Sequence, residues 1–234
     1  MVLAVVVLAG SAAVARGPSD APTASEVAAA RSAYVAPPEQ PTAFFFGDSY
    51  FNGSDYTTVQ ESMAYLAGSS LGYQTFVSGA GGTGFTSART EAPASPDYLG
   101  QIRTGGLKVD VGDVQVVVVE GGLNDRGKPS GQVTANARQV LAAAKEQYPD
   151  ARLLLLGPVD PDGQPDPEVG AVVRSLAAAA KSEQVPFIDA SGWFTPKQAA
   201  TLIGKDGTHP TVQGHRVLAG KLEQTLRARG VPAV

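Results

Sequence analysis

The sequence predicts an α/β fold in which a flavodoxin-like parallel sheet of about five strands lies between two layers of helices. Two observations lead to this prediction. Short apolar runs without strict alternation of polar and apolar residues are typical of strands buried on both faces. Segments with apolar residues at helical spacing separate several of these runs, and strands that alternate with helices form parallel sheets.

The predicted strands lie at residues 42–46, 73–77, 114–119, 152–156 and 185–188. In three segments the apolar residues repeat at the spacing of an α-helix. Their apolar positions are Val133, Ala137, Val140, Leu141, Ala144 and Tyr148 in the first, Val169, Val172, Val173, Leu176, Ala177 and Ala180 in the second, and Val212, Ala219, Leu222 and Leu226 in the third.

A serine follows directly on the first predicted strand. The apolar run Phe44–Phe46 breaks at Gly47-Asp48-Ser49, as a buried strand does when it ends in a tight turn. Such a turn displays the serine hydroxyl, although Gly-Asp-Ser also occurs in ordinary turns. Because a serine hydroxyl is a weak nucleophile until a base takes its proton, a nucleophilic Ser49 requires a histidine. Asp48 is interpreted as ordering the turn.

Two histidines compete for the role of base. His209 has a carboxylate three residues earlier, Asp206, whereas His215 lies on the inner face of the last predicted helix, where a structural histidine is expected. Asp206 would accept the Nδ1 proton of His209 and leave its Nε2 free for Ser49. We therefore predict a serine hydrolase with Ser49, His209 and Asp206 as catalytic residues.

Further polar segments follow the second and third strands. The block 79–84 is rich in glycine, and Asn124 follows a run of valines. Because the carboxyl ends of parallel strands share one edge of the sheet, Ser49, this block and Asn124 should lie together there. The loop 206–209 follows the last strand and can fold over the same edge.

These segments resemble the SGNH hydrolases of the GDSL esterase/lipase superfamily. The resemblance covers the chain from residue 42 onward and includes, in the family order, Gly-Asp-Ser at 47–49, the glycine block at 79–84, Gly-x-Asn-Asp at 122–125 and Asp-x-x-His at 206–209. It implies an esterase without a cofactor.

The resemblance also implies an oxyanion hole formed by the Ser49 N–H, the Gly82 N–H and the Asn124 side chain. The block lacks the asparagine with which the family usually begins it, so Gly81 and Gly84 remain alternatives to Gly82. Asp125 is expected to hold its loop in shape. Glu120 is either solvated at the strand end or in contact with the site.

The glycine block also satisfies G-x-G-x-x-G, the dinucleotide-binding pattern. That pattern requires a helix to open at once, so that its N-terminus can hold a pyrophosphate. Residues 85–97 contain Pro93 and Pro96 and have no helical period. We therefore expect no cofactor.

Composition excludes other classes of function. The chain has no cysteine and only two histidines, which argues against a metal site. A net charge of −4 without a dense Lys/Arg stripe argues against nucleic acid as a partner. The roughly 190 residues after position 41 suffice for one domain.

The N-terminal segment predicts export. Residues 1–15 read as a signal peptide or the remnant of a membrane anchor, residues 16–41 as an Ala/Pro/Ser-rich flexible linker, and residues 42–234 as the hydrolase domain. The protein is accordingly expected to be secreted or extracytoplasmic, with a membrane contact only through such an anchor. The oligomeric state is left open.

The expected substrate is a short acyl ester on a carbohydrate or another cell-envelope alcohol, because no long apolar segment suggests a lipase lid. Tyr50, Phe85 and Trp193 are candidates to line the substrate pocket. Three alternatives remain open: acyl transfer to sugars by the same residues, a lipase that prefers long acyl chains, and a catalytically silent carbohydrate- or envelope-binding domain.

Overall fold

The computed structural model describes residues 40–109, 111 and 113–234. The predicted signal segment 1–15, and the predicted linker up to residue 39, lie outside the described residues. The first strand begins at Thr42, where the predicted domain starts. Within the part of the chain that is described, no helix combines the length and the apolar character needed to cross a bilayer.

Five parallel strands form one sheet in the order β2-β1-β3-β4-β5. This is the flavodoxin-like order, so the predicted fold is confirmed. The strands are β1 (Thr42–Gly47), β2 (Gln74–Gly79), β3 (Val114–Glu120), β4 (Arg152–Leu156) and β5 (Phe187–Ile188).

The fifth strand is shorter than the apolar run that predicts it. It pairs with β4 only over Phe187 and Ile188. Pro186 has no N–H and cannot donate to the ladder, although its carbonyl still accepts a hydrogen bond from the Leu155 N–H at 3.0 Å. The proline therefore delays the start of the strand.

Seven α-helices lie within the described residues, and the three with clear periodicity in the sequence are the three longest. Short 3₁₀ turns occur at Val59–Glu61 and Leu123–Asp125. The helices are α1 (Ser49–Asn52), α2 (Met63–Ser70), α3 (Tyr98–Arg103), α4 (Ser130–Gln147), α5 (Pro167–Ser182), α6 (Pro196–Leu202) and α7 (Val212–Ala228).

The strands supply apolar side chains to both faces of the sheet. In β1, Phe45 packs on one face, and Phe44 and Phe46 pack on the other. Helices α2 and α7 cover the Phe45 face, while α4 and α5 cover the opposite face. Each buried side chain of this size stabilises the fold by about 1.5–3 kcal/mol relative to an exposed one, which explains why the runs at 42–46 and 114–119 have only one polar position each.

The site is positioned by the carboxyl ends of the first three strands. Strand β1 lies between β2 and β3, at the point where the strand order reverses. Gly79 ends β2 with φ 125°, and a Cβ there would lie 1.8 Å from the Gly47 carbonyl oxygen. Glycine is therefore required where β1 and β2 approach each other, next to Ser49.

Candidate active site

Ser49 begins α1 directly after β1. The Asp48 side chain caps this helix by accepting a hydrogen bond from the Tyr50 N–H at 2.9 Å. Ser49 is 6% exposed, and its backbone N–H has no hydrogen-bond partner among the described residues. Asp48 therefore orders the turn as the sequence predicts, and it leaves the Ser49 N–H available to a ligand.

A chain of hydrogen bonds joins Ser49, His209 and Asp206. The Ser49 Oγ lies 2.9 Å from His209 Nε2, and His209 Nδ1 lies 2.6 Å from Asp206 Oδ2. The Thr208 and His209 N–H groups both donate to Asp206 Oδ1 at 3.0 Å. Desolvation opposes ionisation of Asp206, but these donors together with the His209 ring outweigh it and lower the pKa of the carboxyl. The arrangement can move a proton from Ser49 to His209.

Two tyrosines hold the loop that carries Asp206 and His209. The Tyr50 hydroxyl donates to the Thr208 carbonyl at 2.8 Å, and the Asp206 N–H donates to the Tyr56 hydroxyl at 3.2 Å. Tyr50 belongs to α1, which also carries Ser49. The same helix therefore carries the serine and contacts the loop that holds Asp206 and His209. Sequence reasoning did not identify Tyr56, because nothing in the sequence distinguishes it from other loop tyrosines.

The glycine block lies against Ser49. A Cβ on Gly81 would lie 3.2 Å from the Ser49 Cβ. Among the described residues, the N–H groups of Gly81 and Gly82 have no partner, whereas the Gly84 N–H donates to the Ser87 carbonyl at 2.8 Å. Of the three glycines considered as oxyanion donors, Gly81 and Gly82 thus have free N–H groups, and Gly84 would have to exchange a bond.

The Asn124 side chain bridges the glycine block and the serine turn. Its Nδ2 donates to the Thr83 carbonyl at 2.9 Å and to Asp48 Oδ2 at 3.0 Å. The Ser87 hydroxyl donates to the backbone carbonyl of Asn124 at 2.6 Å. The amide is therefore held firmly, and donating to a substrate oxygen requires one of its two bonds to be shared or exchanged.

Asp125 fastens the glycine-block loop to the Asn124 turn. Its buried carboxylate accepts hydrogen bonds from the Phe85 N–H at 2.9 Å and the Thr86 N–H at 2.8 Å. The Thr86 hydroxyl donates to it at 2.7 Å. Asp125 thus shapes the loop, in line with the sequence prediction.

Two of the three aromatic residues expected to line the substrate pocket do not face it. Tyr50 and Phe85 are 1% and 0% exposed, so neither presents a surface to a ligand. Tyr50 is committed to Thr208, and the Phe85 ring packs 5.0 Å from that of Tyr98 between centroids. Trp193 is half-buried, and its contact with a substrate stays a prediction.

Two kinds of ligand site can be compared with the structure, a dinucleotide site at the glycine block and a metal site. Residues 80–97 contain no helix, so none opens on the glycine block as dinucleotide binding requires. Among the residues that the structure describes, no cluster of three or more histidine and carboxylate side chains could hold a metal ion.

His215 is a buried structural histidine. Its Nδ1 accepts a hydrogen bond from the Met63 N–H at 3.1 Å, which joins α7 to the start of α2. It is fully buried, and burial together with the nearby His209 lowers its pKa to about 4. His215 is therefore neutral in the folded protein and takes no part in the hydrogen-bond chain at Ser49.

Because His215 is buried in its neutral form, we expect the protein to lose stability as the pH falls. An exposed histidine in the unfolded chain binds a proton near pH 6.5, whereas the native residue does so only near 4. Between these values the unfolded state binds more protons, so stability falls as pH falls, by about 3 kcal/mol in total. We expect His215→Asn, which can keep an acceptor for the Met63 N–H, to remove this dependence.

The measurement is the free energy of urea unfolding of wild type and variant from pH 7.5 to 4.5. Taking the difference between the two proteins cancels the contribution of the other titrating groups. The advantage of the wild type over His215→Asn should shrink as the pH is lowered. A difference that stays constant with pH would contradict this interpretation of His215.

Sequence comparison finds a family model and a related protein that match this chain. A model of the GDSL-like Lipase/Acylhydrolase family matches residues 45–217. A GDSL lipase of Mycobacterium tuberculosis is 30% identical over 115 residues, which are 47% of this chain and 49% of that protein. The match thus spans about half the length of this relative.

Similar folds occur among solved structures. A family two carbohydrate esterase from Clostridium thermocellum, solved in complex with cellohexaose, has a TM-score of 0.66 at 17% identity over 84% of this chain and 66% of its own. A salicylyl-acyltransferase from a tetracycline biosynthetic pathway has a TM-score of 0.61 at 18% identity, over 84% of this chain and 57% of its own. At these identities the likeness is one of fold.

Proposed function

Because the chain belongs to the GDSL-like lipase/acylhydrolase family, we propose that it hydrolyses short acyl esters of carbohydrate or cell-envelope alcohols with Ser49 as the nucleophile. Membership confirms the resemblance noted in the sequence and makes the protein an esterase of the serine hydrolase type. The observation that carries the proposed mechanism is the hydrogen-bond chain from Ser49 through His209 to Asp206, at 2.9 and 2.6 Å.

In the first step, Ser49 Oγ attacks the ester carbonyl carbon while His209 Nε2 takes the hydroxyl proton. His209 then carries a positive charge, which the Asp206 carboxylate stabilises through Nδ1. His209 then gives this proton to the alcohol oxygen as the bond between that oxygen and the acyl carbon breaks. The alcohol leaves, and the acyl group stays bound to Ser49. A water molecule then attacks the acyl group by the same route, and the carboxylic acid leaves with Ser49 restored.

The tetrahedral intermediate places a negative charge on the former carbonyl oxygen. The free N–H of Ser49 and a free N–H of the glycine block, for which Gly82 is the predicted donor and Gly81 the neighbour, would donate to it. The Asn124 amide would complete the set by sharing or exchanging its bond to Asp48 or Thr83. Preorganised donors of this kind are worth about 3–4 kcal/mol each in the transition state.

The Asn124 amide should act on the transition state more than on substrate binding. We expect Asn124→Ala to lower kcat by about 10²–10³ with KM little changed. Steady-state kinetics on p-nitrophenyl acetate measure both constants. Ser87→Ala is a matched control, since it removes a contact to the Asn124 backbone and keeps the amide, and it should lower kcat far less. A loss confined to KM would make Asn124 a substrate-binding residue instead.

The preference for short acyl chains is tested with p-nitrophenyl esters of two to twelve carbons. A site that holds an acyl chain in an apolar groove gains about 0.8 kcal/mol per buried methylene, so a lipase shows kcat/KM rising with chain length. We expect acetate or butyrate to be preferred over esters of eight carbons or more. A rise toward long chains would reject this part of the proposal and support the lipase alternative.

The carbohydrate alcohol is supported by two considerations. The segment 86–97 beside the site is rich in polar and small residues and offers little apolar surface. The fold neighbour from Clostridium thermocellum is a carbohydrate esterase with an oligosaccharide bound. Acetylated oligosaccharides in the ester panel test this proposal directly, and release of acetate is the measurement.

Transfer to a sugar is the second candidate, favoured by the acyltransferase among the fold neighbours. Hydrolysis and transfer share the acyl–serine intermediate and differ in which nucleophile resolves it. Adding a sugar acceptor to an acetyl-ester assay separates the two reactions. A hydrolase releases acetate at an unchanged rate, whereas a transferase diverts the acyl group to the sugar.

The proposed location is outside the cytoplasm. It is supported by the apolar run at residues 2–9 and by the small-x-small pattern Ala13-Val14-Ala15, both typical of an export signal. Cell fractionation with an antibody against the hydrolase domain tests it.

A further inference from the structure

A second carboxyl group lies beside Asp48, directly behind the nucleophile. Glu120 ends β3, which pairs with β1, and the two carboxyl-bearing residues are 2% and 0% exposed. The Asp48 N–H donates to Glu120 Oε2 at 3.3 Å. A Cβ on Gly47 would lie 2.5 Å from the same oxygen, so the absence of a side chain at position 47 makes room for this carboxyl group.

The two carboxyl groups differ in their partners. Asp48 accepts hydrogen bonds from the Tyr50 N–H at 2.9 Å and from Asn124 Nδ2 at 3.0 Å, as a carboxylate does. Among the described residues, the Glu120 side chain has a single hydrogen-bond partner, the Asp48 N–H at 3.3 Å. Within the described part of the chain, neither group forms an ion pair with lysine, arginine or histidine. Two adjacent buried carboxylates without a cation are unfavourable, so this pair retains a proton.

The surroundings indicate that Glu120 holds the proton. Burial raises the pKa of Glu120 well above its usual value, and the neighbouring Asp48 raises it further by charge and as a hydrogen-bond partner of the side chain. Asp48 also faces Asp125 and His209; burial is the largest cause that raises its pKa, to about 6. Two buried tyrosines also lie near the pair: the Tyr98 hydroxyl donates to the backbone carbonyl of Glu120 at 3.0 Å, and the Tyr50 hydroxyl donates to the Thr208 carbonyl at 2.8 Å.

We propose that Glu120 is a positioning residue that acts in its protonated form. Its neutral carboxyl group donates to Asp48 and thereby holds the Asp48 carboxylate where it caps α1 at Ser49 and anchors the Asn124 amide. One residue behind the sheet edge thus orients both the nucleophile turn and the predicted oxyanion donor. This inference rests on the proposed role of Ser49, and it assigns a function to a residue that no sequence motif includes.

The variants Glu120→Gln and Glu120→Leu test what position 120 must provide: a neutral hydrogen-bond donor, a charged carboxylate or only a side chain of similar volume. Gln keeps a neutral group that can donate to Asp48, whereas Leu keeps the approximate volume and no donor. The readout is the rate at which a fluorophosphonate labels Ser49, because it depends on no particular ester. We expect Gln to stay within about threefold of wild type and Leu to be slower by about ten- to a hundredfold, as for loss of one buried hydrogen bond.

Several outcomes would overturn the inference. Gln as slow as Leu would mean that a carboxylate charge is needed, and Leu as fast as wild type would mean that no donor is needed. Failure of wild type to be labelled would instead reject the proposed function, which keeps the two failures apart.

A second readout needs no activity and applies even if Glu120→Leu does not fold. A protonated native glutamate has a pKa above that of the unfolded chain, so its contribution to stability is lost as pH rises through the native value. The free energy of unfolding of wild type should therefore decline relative to Glu120→Gln between pH 5 and 9. A difference that does not change with pH would show that Glu120 is ionised in the native protein and would refute the proposal.

Discussion

Replacing Ser49 by alanine should abolish ester hydrolysis, lowering kcat by roughly 10⁴–10⁶. The variant removes the atom that forms the acyl–enzyme bond, and among the described residues no other hydroxyl forms a hydrogen bond with His209 Nε2. The fold should survive, because His209 is the only hydrogen-bond partner of the Ser49 hydroxyl within the described residues. Turnover of p-nitrophenyl acetate and the midpoint of thermal unfolding measure the two effects.

Fluorophosphonate labelling provides the matching control. The probe should label wild type and Ser87→Ala, whose hydroxyl contacts the Asn124 backbone, and it should not label Ser49→Ala. Retention of most of the esterase activity by Ser49→Ala would show that another residue is the nucleophile. A wild type that neither turns over esters nor takes the label would point to a silent binding domain.

The sheet and the edge that carries the site follow from local sequence features. Each of the runs at 42–46 and 114–119 is apolar at every position but one, because the strands are covered on both faces, and each ends where a polar motif begins. Parallel pairing then brings Ser49 and Asn124 to one edge whatever the helices do in detail. Predicting their proximity thus needed only the strand ends and the rule for parallel sheets.

The roles of Glu120 and Tyr50 could not be predicted in this way. A glutamate at a strand end is usually solvated, and only the packing of β3 against Gly47 shows that Glu120 is enclosed. An aromatic residue next to the nucleophile suggests a substrate surface, yet Tyr50 turns inward because its hydroxyl reaches Thr208, 158 residues away in sequence. Both outcomes depend on contacts between distant segments, which periodicity does not encode.

Residue types alone do not identify the oxyanion glycine, for a related reason. Several glycines in a row are equivalent in sequence, and they differ only in where each N–H points. The bond from the Gly84 N–H to Ser87 sets it apart from Gly81 and Gly82, and that bond depends on how the following loop folds back. Among the described residues, backbone hydrogen bonding therefore leaves Gly81 and Gly82 as the candidates with free N–H groups, a distinction that residue types alone do not make.

Exchange of His209 for asparagine should reduce kcat about as strongly as loss of Ser49, by roughly 10⁴–10⁶. The asparagine amide can still reach Asp206, as Nδ1 does now, but nothing replaces Nε2 as the base for Ser49. His215→Asn makes the same exchange at the other histidine, where Nδ1 bonds the Met63 N–H, and it should change kcat by no more than a few-fold while altering stability. Steady-state kinetics at pH 8 measure both variants.

The comparison is decisive because the two histidines differ in burial and in partners, not in residue type. His209 joins Ser49 to a carboxylate at the carboxyl edge of the sheet. His215, on α7, is buried against the start of α2, and its Nε2 has no hydrogen-bond partner among the described residues. Because a base must be neutral to accept a proton, activity of the wild type should also fall at acid pH. An inactive His215→Asn beside an active His209→Asn would reverse the assignment, and with it the path by which the proton leaves Ser49.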